Sequence, residues 1–153
     1  MSTSTIEQIK RHEGFRQRVY KCTAGKDTIG YGYNITANPL KLTKFEIDGF
    51  YSVGINEHVA SYLLLRLVNE IDKSLSENFD WFESLNEARQ AVLVNMCFNL
   101  GLNGLLGFKT TLAMVKAGDY ELAAENMLKS KWAGQVHGRA LELAMQMRTG
   151  EFK

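Results

Sequence analysis

The sequence has one proline, two cysteines and no long apolar run. Each scarcity excludes something. Two cysteines, Cys22 and Cys97, are too few for a disulfide-framed secreted scaffold. Cys97 falls in the apolar stretch 91–98 and reads as a small buried hydrophobe, so a bridge to Cys22 is not expected. The longest apolar run lies around residues 63–65 and is interrupted by Arg66. No segment therefore has the length of a membrane-spanning helix, and no stable membrane insertion is expected. The formal net charge is only +1, which argues against a nucleic-acid partner. His12, His58 and His137 are scattered, and no H-x-x-x-H or C-x-x-C spacing occurs, so neither metal nor cofactor is expected. Spacing alone pairs none of the three with Cys22 as a protease would need. The polar start, residues 1–5, lacks the charged-then-apolar order of a signal peptide.

What is present is enough for one globular domain. The chain has 153 residues, of which 45% are hydrophobic and 23% charged, sufficient for a real core. Ser4 or Thr5 can cap a short first helix ending near Glu13 and Gly14. Residues 18–20 and 28–31 read as strands around a turn at 23–27. Residues 34–40, with Pro39, read as a loop. Thr43 and Glu46 have capping-box spacing. Asn56 can cap a long helix, with Val59, Leu63, Leu67, Ile71 and Leu75 recurring on one face. From Asn86 onward the pattern is helical: one helix ends near Gly101, one spans about 108–117 before Gly118, one follows Asp119 to about Ser130, and one covers 136–147. The expected fold class is α+β and predominantly helical. A small β-containing lobe, 14–56, is joined by a connecting helix, 57–78, to a helical lobe, 79–153 together with 1–13, around a cleft.

The segment 11–34 gathers the reactive groups. Glu13 stands at a helix C-terminus, where the dipole favours the protonated carboxyl that a general acid needs. Cys22 lies in a strand end or turn between Lys21 and Lys26, whose charges favour a thiolate able to act as nucleophile or base. Thr28 opens the second strand and offers a hydroxyl to a water or a sugar. Gly30, Tyr31 and Gly32 lack the full phosphate-loop pattern and instead allow a ligand close to the backbone. Taken singly, each also has an ordinary structural reading as a surface acid, an inert turn thiol or a strand β-branched residue.

Together, His12, Glu13, Gly14, Phe15, Arg16, then Val19 to Thr23, Gly25 and Thr28 to Gly32 resemble the active-site segment of phage-type lysozymes, the endolysins of glycoside hydrolase family 24. That family's pattern is Glu, eight residues, Asp or Cys, five residues, Thr, and Glu13, Cys22 and Thr28 fall on it. A second resemblance is independent of the first. Asn99, Leu100, Gly101, Gly104, Gly107, Phe108 and Leu112 are similar to the family's large-lobe helix-turn. Ser130, Lys131, Trp132, Gln135, Gly138, Arg139, Ala140 and the run 147–150 are similar to its C-terminal signature. The resemblance implies a lysozyme-like two-lobed fold and a muramidase. Glu13 would protonate the leaving glycosidic oxygen, Cys22 would serve the attacking water or the oxocarbenium-like centre, and Thr28 would hold that water. Phe98, Thr111, Asn126 and Gln135 would meet the saccharide, and Arg139 would support Glu13.

Two departures matter. The commoner aspartate is a cysteine at position 22, and a free thiol is only a few per cent ionised at pH 7. Tyr33 stands where some relatives use a histidine in a structural ion pair. The substrate expected is the β-1,4 bond between N-acetylmuramic acid and N-acetylglucosamine of peptidoglycan strands. A lytic transglycosylase and a non-catalytic wall-binding module remain as alternatives. A monomer is expected, held in the host cytoplasm until lysis and reaching the wall with the help of a separate holin.

Overall fold

The computed structural model describes residues 2–37 and 40–153. The first helix, α1 (Thr3–Glu13), starts a residue or two before the expected cap and stops where the sequence says it should. Gly14 takes a left-handed φ of 69°, and its N–H donates to the Lys10 carbonyl at 2.9 Å. Lys10, Arg11 and His12 occupy the last turn, where cations suit the helix dipole.

Three antiparallel strands follow in sequential order: β1 (Arg16–Lys21), β2 (Asp27–Gly30) and β3 (Tyr33–Asn34). Tyr20 pairs with Thr28 and Lys21 with Asp27. The ladder is irregular between Arg16 and Tyr20 because Gln17 looks elsewhere: its carbonyl accepts from the Ile55 N–H at 3.0 Å. The third strand was not expected. It pairs Asn34 with Thr28 and Tyr33 with Ile29, and two residues carry no periodicity to betray a strand. The loop reading of residues 34–40 thus gives way to strand at Asn34, while Asn38 and Pro39 lie outside the described residues.

Helix α2 (Lys44–Ser52) opens with the expected capping box, Thr43 accepting from the Glu46 N–H while the Glu46 side chain accepts from the Thr43 N–H. Helix α3 (Glu57–Asn78) is capped by Asn56, whose Oδ1 accepts from the Val59 N–H at 2.9 Å. The chain divides into two compact units, Thr3–Glu70 and Ile71–Lys153, with the division falling inside α3 and α1 grouped with the first unit.

In the first unit, Ile9, Ile29, Tyr33, Phe50, Ile55 and Leu64 are buried. Tyr33 is 2% exposed and stands edge-on to Phe50 at 6.3 Å. Its hydroxyl has no hydrogen-bond partner among the described residues, and burial pushes the phenol up to about 12.

The second unit is helical: α4 (Glu87–Leu106), α5 (Lys109–Ala117), α6 (Tyr120–Leu128), α7 (Lys131–Val136) and α8 (Gly138–Thr149), preceded by a 3₁₀ turn at Phe82–Ser84. Residues 91–97 of α4 are all buried, so this helix is the centre of the unit. A helix apolar on every side is a core helix. Among the described residues no single helix is long and apolar enough to cross a membrane. Two expectations are corrected here. The helix after Asn86 does not end at Gly101; it breaks there, at φ 77° and ψ 165°, and resumes to Leu106. The last helix is two helices. His137, a non-glycine residue at φ 45°, separates α7 from α8, and nothing about a histidine signals that conformation in sequence. Gly118 closes α5 with φ 81°, as expected. Asp119 sits at the N-cap of α6 but makes no side-chain cap hydrogen bond.

Arg89 fastens the C-terminus of α8. Its Nε donates to the Met147 carbonyl at 2.9 Å, its Nη2 to the Arg148 carbonyl at 3.1 Å, and its guanidinium lies 3.6 Å from the centre of the Tyr120 ring. Gln146, fully buried, donates to the Ala88 carbonyl at 2.8 Å and ties α8 to α4.

Because the Tyr33 hydroxyl is buried without a partner, Tyr33→Phe is expected to leave stability unchanged or raise it by up to about 1 kcal/mol in urea denaturation. A loss larger than about 1 kcal/mol would mean that the hydroxyl is satisfied after all.

Candidate active site

Glu13, Cys22 and Thr28 all lie in the first unit, on α1, just past β1 and on β2. The pairing of Tyr20 with Thr28 and Lys21 with Asp27 brings the end of β1 alongside the start of β2. The next pair closes the turn: the Cys22 N–H donates to the Lys26 carbonyl at 3.0 Å, and Gly25 N–H donates to the Cys22 carbonyl at 2.8 Å. Thr28 is 3% exposed, and its hydroxyl donates to the Lys26 carbonyl at 3.0 Å. The same hydroxyl lies close enough to the Cys22 sulfur to favour its anion by turning to donate to it.

The Cys22 thiol is held below its ordinary value, chiefly by the backbone N–H of Lys26, then by that of Ala24 and by the Thr28 hydroxyl. The direction is the one expected from sequence, but the cause differs. The Lys21 ammonium is spent on an ion pair with Asp27, which also accepts from the Tyr51 hydroxyl at 2.5 Å. Lys26 acts through its backbone rather than its charge. Amides that converge on a turn stabilise an anion without any side-chain cation.

Glu13 is half-buried. Its carboxylate lies against Gly32: a Cβ built on that glycine would stand 2.6 Å from Glu13 Oε2 and 2.8 Å from its carboxyl carbon. Gly32 also has a φ of 71°. The two glycines around Tyr31 were expected to admit a ligand, and the protein itself fills those places. Glu13 occupies the space over Gly32, while Ala60 and Ile55 stand 3.1 Å from a Cβ at Gly30. Phe15 and Tyr31 pack at 5.6 Å, and the Lys10 ammonium lies 5.4 Å from the Tyr31 ring centre. These contacts seat the end of α1 on the turn that carries Gly32.

Sequence reading missed Tyr20. Its phenol is pushed up by burial first, then by the negative charge of Glu13, with a smaller rise from Cys22, while Arg16, 4.8 Å from the ring centre, opposes. Tyr20 therefore lies within electrostatic reach of both Glu13 and Cys22. Its position two residues before Cys22 along a strand direction, hence on the same side, was the available signal. Chemically the group combines a carboxyl, a thiol favoured toward its anion and a buried hydroxyl.

The remaining sequence-predicted residues lie in the second unit. Asn126 Nδ2 donates to the Thr111 hydroxyl at 2.7 Å, and both line a groove of about 650 Å³ at the start of α5. Phe98, on α4, is half-buried and Gln135, on α7, is exposed; neither lines this groove. Arg139, on α8, donates through Nε to Asn95 Oδ1 at 2.9 Å. One wall of the groove is Phe108, which meets Trp132 edge-on at 6.1 Å. Trp132 Nε1 in turn donates to Asn99 Oδ1 at 2.7 Å, so α7 is pinned to α4.

Comparison with known proteins matches residues 10–150 to the family described as phage lysozyme. The chain belongs to the phage lysozyme family. The match runs from the end of α1 to the C-cap of α8 and includes both groups of residues just described. Among similar proteins, a probable T4-type lysozyme of Dictyostelium discoideum is 27% identical over 98% of this chain and 96% of its own length. An endolysin of Salmonella phage P22 is 26% identical over 88% of this chain and 86% of its own. The pre-baseplate central spike protein Gp5 of Enterobacteria phage T4 is 30% identical over 98% of this chain, which spans only 28% of that relative's length. As a phage lysozyme this is a lysozyme-type glycosidase domain with the small sheet and helical majority expected from its sequence.

The two thiols should differ sharply. Cys97 is 4% exposed and pushed up to about 11 by burial, while Cys22 is partly exposed and shifted down. In the native protein an aromatic disulfide reagent should titrate one thiol rapidly, beginning at a pH below that of a free cysteine, and the second only after unfolding. Two fast thiols, or a fast Cys97 in the Cys22→Ser variant, would contradict this. Gly32→Ala should displace the Glu13 carboxylate, lowering activity at least about 10²-fold in kcat while the stability loss stays within about 1–3 kcal/mol. Unchanged kcat would show that the carboxylate need not sit there.

Proposed function

We propose that this phage lysozyme is an endolysin-type muramidase that hydrolyses the β-1,4 bond between N-acetylmuramic acid and N-acetylglucosamine in peptidoglycan. Glu13 delivers the proton to the leaving glycosidic oxygen. Cys22, as its anion, serves the opposite face, either steering water or stabilising the oxocarbenium-like centre. Thr28 fixes the sulfur and the water that approaches it. Thr111 and Asn126 hold saccharide hydroxyls, with Phe98 and Gln135 contributing to the same recognition, and Arg139 supports Glu13.

The observation that carries this reading is the company kept by Glu13. Its charge reaches Tyr20, which also feels Cys22, and the Thr28 hydroxyl favours the Cys22 anion. Tyr20 thus links the Glu13 carboxylate to the turn that carries Cys22 and Thr28. The names of relatives that run nearly the full length of this chain, T4-type lysozyme and endolysin, favour the same activity. In the biological setting we propose a monomer that acts on the wall of its host at lysis, after a separate holin has opened the inner membrane.

The test is product analysis with purified peptidoglycan. The parent should release new reducing ends, and muropeptides whose mass includes one added water. Glu13→Gln should lower kcat by about 10²–10⁴-fold with little change in thermal midpoint. Anhydro products one water lighter would replace hydrolysis by transglycosylation, and an unimpaired Glu13→Gln would remove the acid from its role.

A further inference from the structure

Glu13, Tyr20, Cys22 and Thr28 differ in how their protons are committed. Glu13 carries the proton that the proposed reaction uses. Cys22, as its anion, carries none. Thr28 has one, and both places for it lie in the protein: the Lys26 carbonyl at 3.0 Å and the Cys22 sulfur. The amides of Ala24 and Lys26 are turned to that same sulfur. Tyr20 is the exception. Among the described residues its hydroxyl has no hydrogen-bond partner. The Tyr51 hydroxyl, by contrast, donates to Asp27 at 2.5 Å, and that of Tyr33 is sealed in the core. Tyr20 is half-buried, so its hydroxyl is held by the protein yet open to a ligand.

The fold aims this hydroxyl. Tyr20 pairs directly with Thr28 across the ladder, and residues opposite one another in an antiparallel pair project to one face. Cys22 follows two residues later, on the same side. The phenol therefore shares the face that carries Thr28 and Cys22. Arg16 follows Glu13 around the turn at Gly14, and its guanidinium stands 4.8 Å from the Tyr20 ring centre. A cation over one ring face restrains the ring and draws electron density from it, which makes the phenol a stronger donor. Burial first, then the negative charge of Glu13, with a smaller rise from Cys22, keeps the proton on the oxygen against the opposing pull of Arg16.

We propose that the Tyr20 hydroxyl is a substrate contact, donating a hydrogen bond to an acetamido carbonyl oxygen of the glycan strand bound over Glu13 and Cys22. This rests on the muramidase reading above and deepens it. The hydroxyl and acetal oxygens of a sugar are modest acceptors, whereas the amide oxygen of its N-acetyl group is the strongest neutral acceptor it carries. A phenol is correspondingly a stronger donor than an aliphatic hydroxyl. Neither Cys22 nor Thr28 can make this contact, since an anion only accepts and the Thr28 proton is already placed. Tyr20 is then a specificity-determining residue: it favours strands whose sugars keep their acetyl groups.

A double-mutant cycle on the full chain tests the proposal. Proteins with and without Tyr20→Phe, both carrying Glu13→Gln to stop turnover, are titrated with a tetrasaccharide of alternating N-acetylglucosamine and N-acetylmuramic acid. The titration is repeated with the de-N-acetylated tetrasaccharide. Tyr20→Phe keeps the ring under Arg16 and removes only the hydroxyl. It should weaken binding of the acetylated sugar about tenfold, and de-acetylation should then cost about tenfold less than it does with Tyr20 in place. In hydrolysis of peptidoglycan, with Glu13 intact, Tyr20→Phe should raise KM by the same factor and leave kcat unaltered, as expected of a contact made equally before and during the reaction. The thermal midpoint and the titration of the Cys22 thiol should match the parent. Equal affinity for the acetylated sugar, an equal cost of de-acetylation, or a fall in kcat at constant KM would each overturn the proposal. So would a displaced Cys22 titration, because the hydroxyl would then act through the thiol. If the parent releases no reducing ends from peptidoglycan, the muramidase reading fails by itself, and the tetrasaccharide cycle still decides whether Tyr20 meets an acetamido group.

Discussion

The Glu13 carboxylate rests on the bare backbone of Gly32, with no room for even a methyl group between them. That contact organises the first unit. It requires α1 to end where it does, so that Glu13 is the last helical residue and Gly14 turns the chain away. It requires the turn after β2 to hold a left-handed glycine directly beneath. The packing of Phe15 on Tyr31 and of Ile9 and Ile29 in the core keeps helix and turn in register. A flexible acid is thereby converted into a fixed one, as the proposed delivery of a proton to a specific oxygen would demand.

The thiol is prepared by a different device. The turn 22–26 is closed by two backbone hydrogen bonds, and the amides of Ala24 and Lys26 converge on the sulfur. No cation is committed to it, because Lys21 is engaged by Asp27. Backbone dipoles of this kind are already oriented before any substrate arrives, so stabilising the anion costs little reorganisation. Thr28 completes the arrangement from a buried position, where its hydroxyl has few other partners to choose.

The second unit treats polar groups in two ways. Around α4 they are paired between helices: Gln146 on the Ala88 carbonyl, Arg139 on Asn95, Trp132 on Asn99. Such bonds fix the relative placement of helices, since breaking one leaves an unsatisfied group in the interior. At the groove, by contrast, three lysines and an uncapped helix start stand open to solvent.

Local chemistry alone settled a good deal. Gly14, Thr43 with Glu46, Asn56 and Gly118 each mark a helix boundary, because capping depends on a residue and its near neighbours. The Glu13, Cys22, Thr28 spacing was legible through its resemblance to the phage-type lysozyme pattern, since Glu13 stands on α1 and only the other two belong to the hairpin. What only the tertiary structure decided are features whose causes lie far along the chain. Strand β3 exists because β2 is beside it. The break at His137 divides α7 from α8, a positive φ that few histidines adopt and that nothing adjacent in the sequence announces. Lys21 serves Asp27 rather than Cys22. The open space over Gly32 belongs to Glu13. That Lys109, Lys129 and Lys131 stand together without an ion pair among the described residues is visible only once α5, α6 and α7 have met. Residues adjacent in sequence set torsions and caps; residues brought together from a distance set which charges are cancelled and which spaces are filled.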